Sequence, residues 1–117
     1  MIKAINLKEK LATFDDLWGP RVVGDYNGND LIVVKIKGEF IWHSHPETDD
    51  FFMVLSGQVT IETENGNVEV NPGEIYVVPK GVQHRPVAQE ETHLLLIEPA
   101  GTPNTGDPKT AVAKPRI

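Results

Sequence analysis

Three histidines and one acid carry the chemistry that can be read in this chain. His43, His45 and Asp50 lie in GEFIWHSHPETDDFFMVLSG, residues 38–57, and His84 lies in PGEIYVVPKGVQHRP, residues 72–86. Side chains alternate between the two faces of a strand, so His43 and His45 share a face. Residues 46–49 form a turn, and Asp50 begins the return strand. Alternation then groups Asp50, Phe52 and Val54 on one face and Phe51, Met53 and Leu55 on the other. For the acid to meet the histidines, the first group must point inward. With His84 brought in from another strand, the set offers nitrogen and oxygen donors suited to a divalent transition metal.

Positioning these four side chains requires a β-rich scaffold. From Arg21 onward the sequence is a series of short apolar and β-branched runs: 21–26, 31–37, 40–45, 51–55, 58–63, 68–70, 75–78 and 93–98. Turn residues separate them, which is the pattern of an antiparallel sandwich or barrel. Asn65-Gly66 predicts a type I′ hairpin with both residues at positive φ, and the segment Asn27-Gly28-Asn29-Asp30 predicts another. Pro72-Gly73 suits a type II turn. Ahead of the strands, Asn6 is the expected N-cap of a helix over 7–14, with Leu7, Leu11 and Phe14 on its apolar face. The organisation expected is a helical segment over 1–20 packed on a barrel over 21–99, followed by an extended, partly ordered tail over 100–117 that is rich in Pro, Gly and Thr.

Composition narrows the function classes. The 117 residues are 39% hydrophobic, enough for one core. There is no cysteine, so disulfides and thiolate metal sites are excluded and any metal must use imidazole and carboxylate. A formal charge of −6 with scattered Lys and Arg speaks against nucleic acid. No apolar run approaches the roughly 20 residues of a membrane span, and the first residues do not read as a cleaved leader. A cytoplasmic protein without membrane or nucleic-acid partners is expected.

Taken in order, Gly38, His43, His45, Asp50 and Gly57, then Gly73, Pro79, Gly81, His84 and Ala88, resemble the two motifs of the cupin family. The resemblance covers residues 31–98, and the chain is most similar to small single-domain bacterial cupins. Its layout and the string EPAGTPNTGD also resemble a subgroup described as mannose-6-phosphate-isomerase-like. The spacer before His43 is one residue short of the family pattern, Ala88 stands where Asn is usual, and Asp50 stands where Glu is usual. Asp50 is one methylene shorter, so a site of three histidines remains an alternative, with Asp49 or Glu47 as substitute acids. The resemblance implies an all-β fold, a jelly-roll barrel also described as a double-stranded β-helix, with a short N-terminal helix. It further implies a divalent ion (Fe, Mn, Ni, Zn, Cu or Co) held by His43, His45, Asp50 and His84, with open positions for a small-molecule substrate or ligand. Isomerase, dioxygenase and decarboxylase chemistries occur on such a fold, as do non-enzymatic binding and sensor modules.

Around the ligands, Ile41, Phe52 and Val54 are expected to form an apolar wall, and Tyr76 and Arg85 are weaker candidates for the pocket. His93 is expected to be structural. Lys80 and Arg85 are the only basic groups near the second motif, which is a poor provision for a phosphate. Phe40, Trp42, Phe51, Met53 and Leu55 are expected on the outer face of the first hairpin, too much apolar surface to leave in water. A homodimer packed sheet on sheet is the expected cover.

Overall fold

A computed structural model describes residues 2–117. A short helix, α1 (Leu7–Leu11), is followed by seven strands: β1 (Arg21–Tyr26), β2 (Asn29–Glu39), β3 (Asp50–Ser56), β4 (Val59–Thr63), β5 (Gly66–Val70), β6 (Ile75–Val78) and β7 (His84–Pro99). All pairings between them are antiparallel. One face runs β1-β2-β7-β3-β6, and β4, paired with β5, joins the other end of β7. The long strands β2 and β7 turn together from one face to the other. Their pairing steps from Ile36↔Thr92 to Gly38↔Ala88, so β7 carries extra residues at the corner and Gly38 takes φ 86. The two faces close on Val34, Ile36, Phe52, Val54, Val59, Ile61, Val70, Val78, Ala88 and Leu94. This is the expected all-β jelly-roll barrel, and in β3 it is Asp50, Phe52 and Val54 that face inward.

The segment 40–45 departs from the expected hairpin. It does not pair with β3. It lies along the start of β7, where His43 and His84 exchange backbone hydrogen bonds of 3.0 and 2.9 Å and the Phe40 N–H donates to the Pro86 carbonyl at 3.1 Å. Pro86 has no N–H to return the bond, and the register shifts by one residue between these contacts. A one-residue shift exchanges inner and outer faces. Phe40 therefore turns inward, while Ile41 and Trp42 are 53% and 47% exposed.

Two other local expectations shift by a residue or a few. In the β4–β5 hairpin Thr63 pairs with Gly66, so the loop is Glu64-Asn65, and only Gly66 has positive φ. The Thr63 hydroxyl accepts from the Asn65 N–H and donates to the Gly66 carbonyl, closing the loop one residue early. Asn27 and Gly28 do take positive φ between paired Tyr26 and Asn29, and the Asn71–Glu74 turn has Gly73 at φ 83. Asn6 caps α1 by accepting from the Glu9 N–H at 3.0 Å, but the helix stops at Leu11. Its Leu11, with Phe14, is still buried against Val23 and Val33. Just beyond the helix the Thr13 N–H and hydroxyl both donate to the Lys10 carbonyl, and the Lys35 ammonium donates to the Phe14 carbonyl at 2.5 Å, which ties that stretch to β2.

Residues 100–117 form no strand, yet they are tied down rather than loose. Val22 donates to the Pro115 carbonyl and accepts from the Ile117 N–H. Gly106 sits against the backbone of Ser44, where an added Cβ would lie 2.0 Å from the Ser44 oxygen. Among the described residues no helix is long and apolar enough to cross a membrane.

Candidate metal centre

Backbone geometry brings the four side chains together. The reciprocal His43–His84 hydrogen bonds set these residues directly opposite each other, and His45, two residues on, keeps the same face. β3 supplies Asp50 from the opposing wall. The ring centroids of His43 and His84 are 4.4 Å apart, and His45 lies 5.0 Å from His43 and 5.8 Å from His84. One donor atom from each of His43, His45, Asp50 and His84 falls within 4.8 Å of all the others, and all four residues are buried. Asp50 is long enough: its Oδ2 lies 2.9 Å from His84 Nε2 and 3.3 Å from His45 Nε2. Donors bound to one ion at about 2.1 Å are separated by about 3.0 to 3.4 Å, so the spacing suits a shared cation.

Proton positions sharpen this fit. The Nδ1 atoms of His43 and His84 each lie 2.9 Å from a carbonyl two residues earlier, that of Ile41 and that of Val82. A carbonyl only accepts, so each Nδ1 carries a proton and each Nε2 faces inward. At His84 the Nε2 meets the Asp50 carboxylate at 2.9 Å. So close a contact needs positive charge between nitrogen and carboxylate, supplied either by a proton on Nε2 or by a cation that all four residues share. His45 Nδ1 is buried with no hydrogen-bond partner among the described residues, so its inward nitrogen is Nε2.

Electrostatics favour the ligating forms. Burial pushes the His43 imidazole down to about 4, which keeps its ring neutral near pH 7. Burial opposes ionisation of Asp50, but contact with His45 and His84 outweighs it and holds the carboxyl down at about 2. Both are forms that a metal ion requires.

A cavity of about 60 Å³ adjoins the cluster. Phe52 lines it as expected, whereas Val54 is in the core and Ile41 is outside. Phe40, stacked on Trp18 with centroids 5.0 Å apart, takes the place assigned to Ile41. Tyr76 packs on the core instead. Arg85 is occupied outside the cavity by Glu39 and Glu62 and lies over the Trp42 ring. Lys80 is exposed, and its backbone N–H is capped by Asp49. Thus neither basic residue serves the cavity, and neither Asp49 nor Glu47 is in the cluster. His93 pairs with Glu91 away from the site.

The sequence reading missed Trp18, Glu98, Asn104 and Lys114, all of which line the cavity. Glu98 had a usable signal. Leu94 and Leu96 alternate inward along β7, and Glu98 is the next residue on that face. Its burial raises the carboxyl above its ordinary range against the pull of Lys114.

The cupin domain family matches residues 30–98, and the chain belongs to that family. It is similar to a cupin-2 domain containing protein from Shewanella frigidimarina, at 42% identity and a TM-score of 0.80 over 81% of this chain and 93% of that one. It also matches protein NMB1881 from Neisseria meningitidis at 32% identity and a TM-score of 0.76, covering 84% and 100% of the two chains. At 20% identity the fold alone is shared with hydroquinone 1,2-dioxygenase PnpCD, solved with Cd²⁺ and 4-hydroxybenzonitrile. That match has a TM-score of 0.70 over 79% of this chain and 70% of that one.

The depressed imidazole of His43 makes metal-free protein acid-sensitive. Its unfolded value is 6.5 and its folded value about 4, so on acidification the unfolded chain takes up the proton first. Stability from the neutral ring is complete above about 6.5 and is lost as the pH falls toward 4. Asp50 adds a loss from 3.8 toward 2. Calorimetry of metal-free protein should show the melting temperature falling from pH 7 to pH 4, with His43 alone contributing roughly 3 kcal/mol. A level profile over that interval contradicts the assignment.

Proposed function

We propose that His43, His45, Asp50 and His84 hold a divalent transition metal and that the protein is a metal-dependent cupin enzyme acting on a small organic molecule. The observation that carries this reading is the buried convergence of one donor atom from each of the four residues within 4.8 Å, with Asp50 Oδ2 2.9 Å from His84 Nε2 and 3.3 Å from His45 Nε2. When bound, such an ion supplies Lewis acidity toward a carbonyl or carboxylate oxygen, or the redox change that oxygen chemistry needs.

The chain's own residues prepare the rest. The Ile41 and Val82 carbonyls fix the tautomers of His43 and His84 before any ion arrives. Four protein donors would leave further positions to an ion that prefers more than four ligands, and His43, His45 and Asp50 also line the cavity. Phe40, Trp18 and Phe52 give it an apolar wall. The fold does not select among isomerase, dioxygenase and decarboxylase reactions.

Elemental analysis of protein purified without an affinity tag tests the reading. Wild type should carry close to one transition-metal ion per chain, and the His43→Ala, His45→Ala double variant less than about a tenth of that, with its circular dichroism retained. Equal metal in both proteins contradicts it. A metal-loaded protein with no turnover across carbonyl, carboxylate and oxygen-dependent substrates would leave a ligand-binding or sensor module.

A homodimer belongs to the same proposal, on a corrected surface. Phe40 faces the cavity and Leu55 packs under the N-terminal segment, so neither is available. Trp42 stays exposed but lies under Arg85 on the segment that does not pair with β3. Phe51 and Met53 remain, flanked across the sheet by Val77 and Ile75 on β6 and by Ile97 on β7. Ile75 is 58% and Val77 41% exposed, and two such faces together bury a continuous apolar layer. Light scattering at micromolar concentration should give twice the 13.0 kDa chain mass, and Ile75→Lys with Val77→Lys should halve it. A wild-type monomer contradicts the dimer.

A further inference from the structure

Two charged side chains that the metal reading leaves unused stand in the wall of the same cavity. Glu98 faces inward from β7 and is 6% exposed, and Lys114 reaches it from the C-terminal segment with a side chain 12% exposed. The Lys114 ammonium donates to Glu98 Oε1 at 2.5 Å and to the Thr102 carbonyl. Burying such a pair gains little stability, because desolvation offsets most of the attraction. Its placement points instead to recognition.

Hydrogen-bond accounting shows what the pair can recognise. An ammonium has three donors, and two of those on Lys114 are taken. Among the described residues nothing donates to Glu98 Oε2. The pair therefore offers the cavity one donor and one acceptor side by side, the complement of a hydroxyl group. Elsewhere the wall is mostly apolar, formed by Trp18, Val34, Ile36, Phe52, Leu94 and Leu96, with the Asn104 amide the one further polar side chain outside the four-residue cluster. Hydroxyls beyond one or two would go unpaired, which disfavours longer polyols. The cavity of about 60 Å³ admits only a handful of water-sized groups. Charge narrows the class again: a divalent ion with Asp50 and a neutral Glu98–Lys114 pair leaves one positive charge, which a monoanion offsets.

We propose that Glu98 and Lys114 form the hydroxyl-recognition element of the cavity and that its guest is a short hydroxycarboxylate with a small apolar remainder. The carboxylate would lie at the four-residue cluster, and to that extent the inference rests on the metal reading. The guest hydroxyl accepts from Lys114 Nζ and donates to Glu98 Oε2. Residues 100–117 are then part of the binding site, since they deliver both Lys114 and Asn104 to it.

Lactate and propionate, which differ by one hydroxyl, are suitable probes. Calorimetric titration of zinc-loaded wild type should show lactate binding at least about tenfold more tightly, because a site built to bond a hydroxyl rejects the analogue lacking it. Glu98→Gln, which keeps the side chain's shape, and Lys114→Met should each bring the ratio near one while zinc content stays at the wild-type level. Equal affinities in wild type, binding of neither probe at millimolar concentration, or a preference surviving both substitutions overturns the proposal. The last result would mean that the hydroxyl is read by the ion itself. Zinc uptake without a lactate preference sinks only this inference, whereas a lactate preference in protein that takes up no zinc supports the pair and sinks the metal reading.

Discussion

A carboxylate enclosed by three imidazoles is the constraint around which this barrel is arranged. Asp50 is 7% exposed, His84 is fully buried, and each would be costly inside an apolar shell without a partner for its charge or lone pair. The two backbone hydrogen bonds between His43 and His84 set the two side chains next to each other. The Ile41 and Val82 carbonyls then settle which nitrogen bears the proton. Three inward nitrogens thus converge on one buried carboxylate, an arrangement completed by a proton or by a metal ion at its centre.

The rest of the fold serves that convergence. β2 and β7 bend together at Gly38 and beyond Ala88, so one continuous strand, β7, carries both His84 at one end and Glu98 at the other. β3 presents Asp50 from the facing wall. A cavity flanked by these elements inherits its chemistry from strand ends, where side chains are held by the sheet yet remain open to a guest. The C-terminal segment completes the wall through its bonds to Val22 and Glu98.

What could be read from the sequence follows the range of the forces involved. A period of two along a strand is local, and it placed His43 with His45 and Asp50 with Phe52 correctly. The helix cap at Asn6 and the Pro72-Gly73 turn are likewise short-range. The inversion of Phe40 and Ile41 was hidden, because it comes from pairing with Pro86, distant in sequence, whose missing N–H breaks the ladder. Only 93–98 of β7 reads as a strand, because Pro86 and the polar run 89–92 interrupt its hydrophobic pattern, although its neighbours hold His84–Pro99 as one strand. Lys114 left no trace at all. Its segment has no periodicity, and only contacts with β1 and β7 determine where it lies.

X-ray absorption at the zinc edge of metal-loaded protein tests the central claim most directly. The account predicts three imidazole nitrogens and at least one oxygen at about 2.0 to 2.2 Å, with the outer-shell scattering that rigid imidazole rings produce. A spectrum of oxygen or water ligands with one imidazole or none would contradict it.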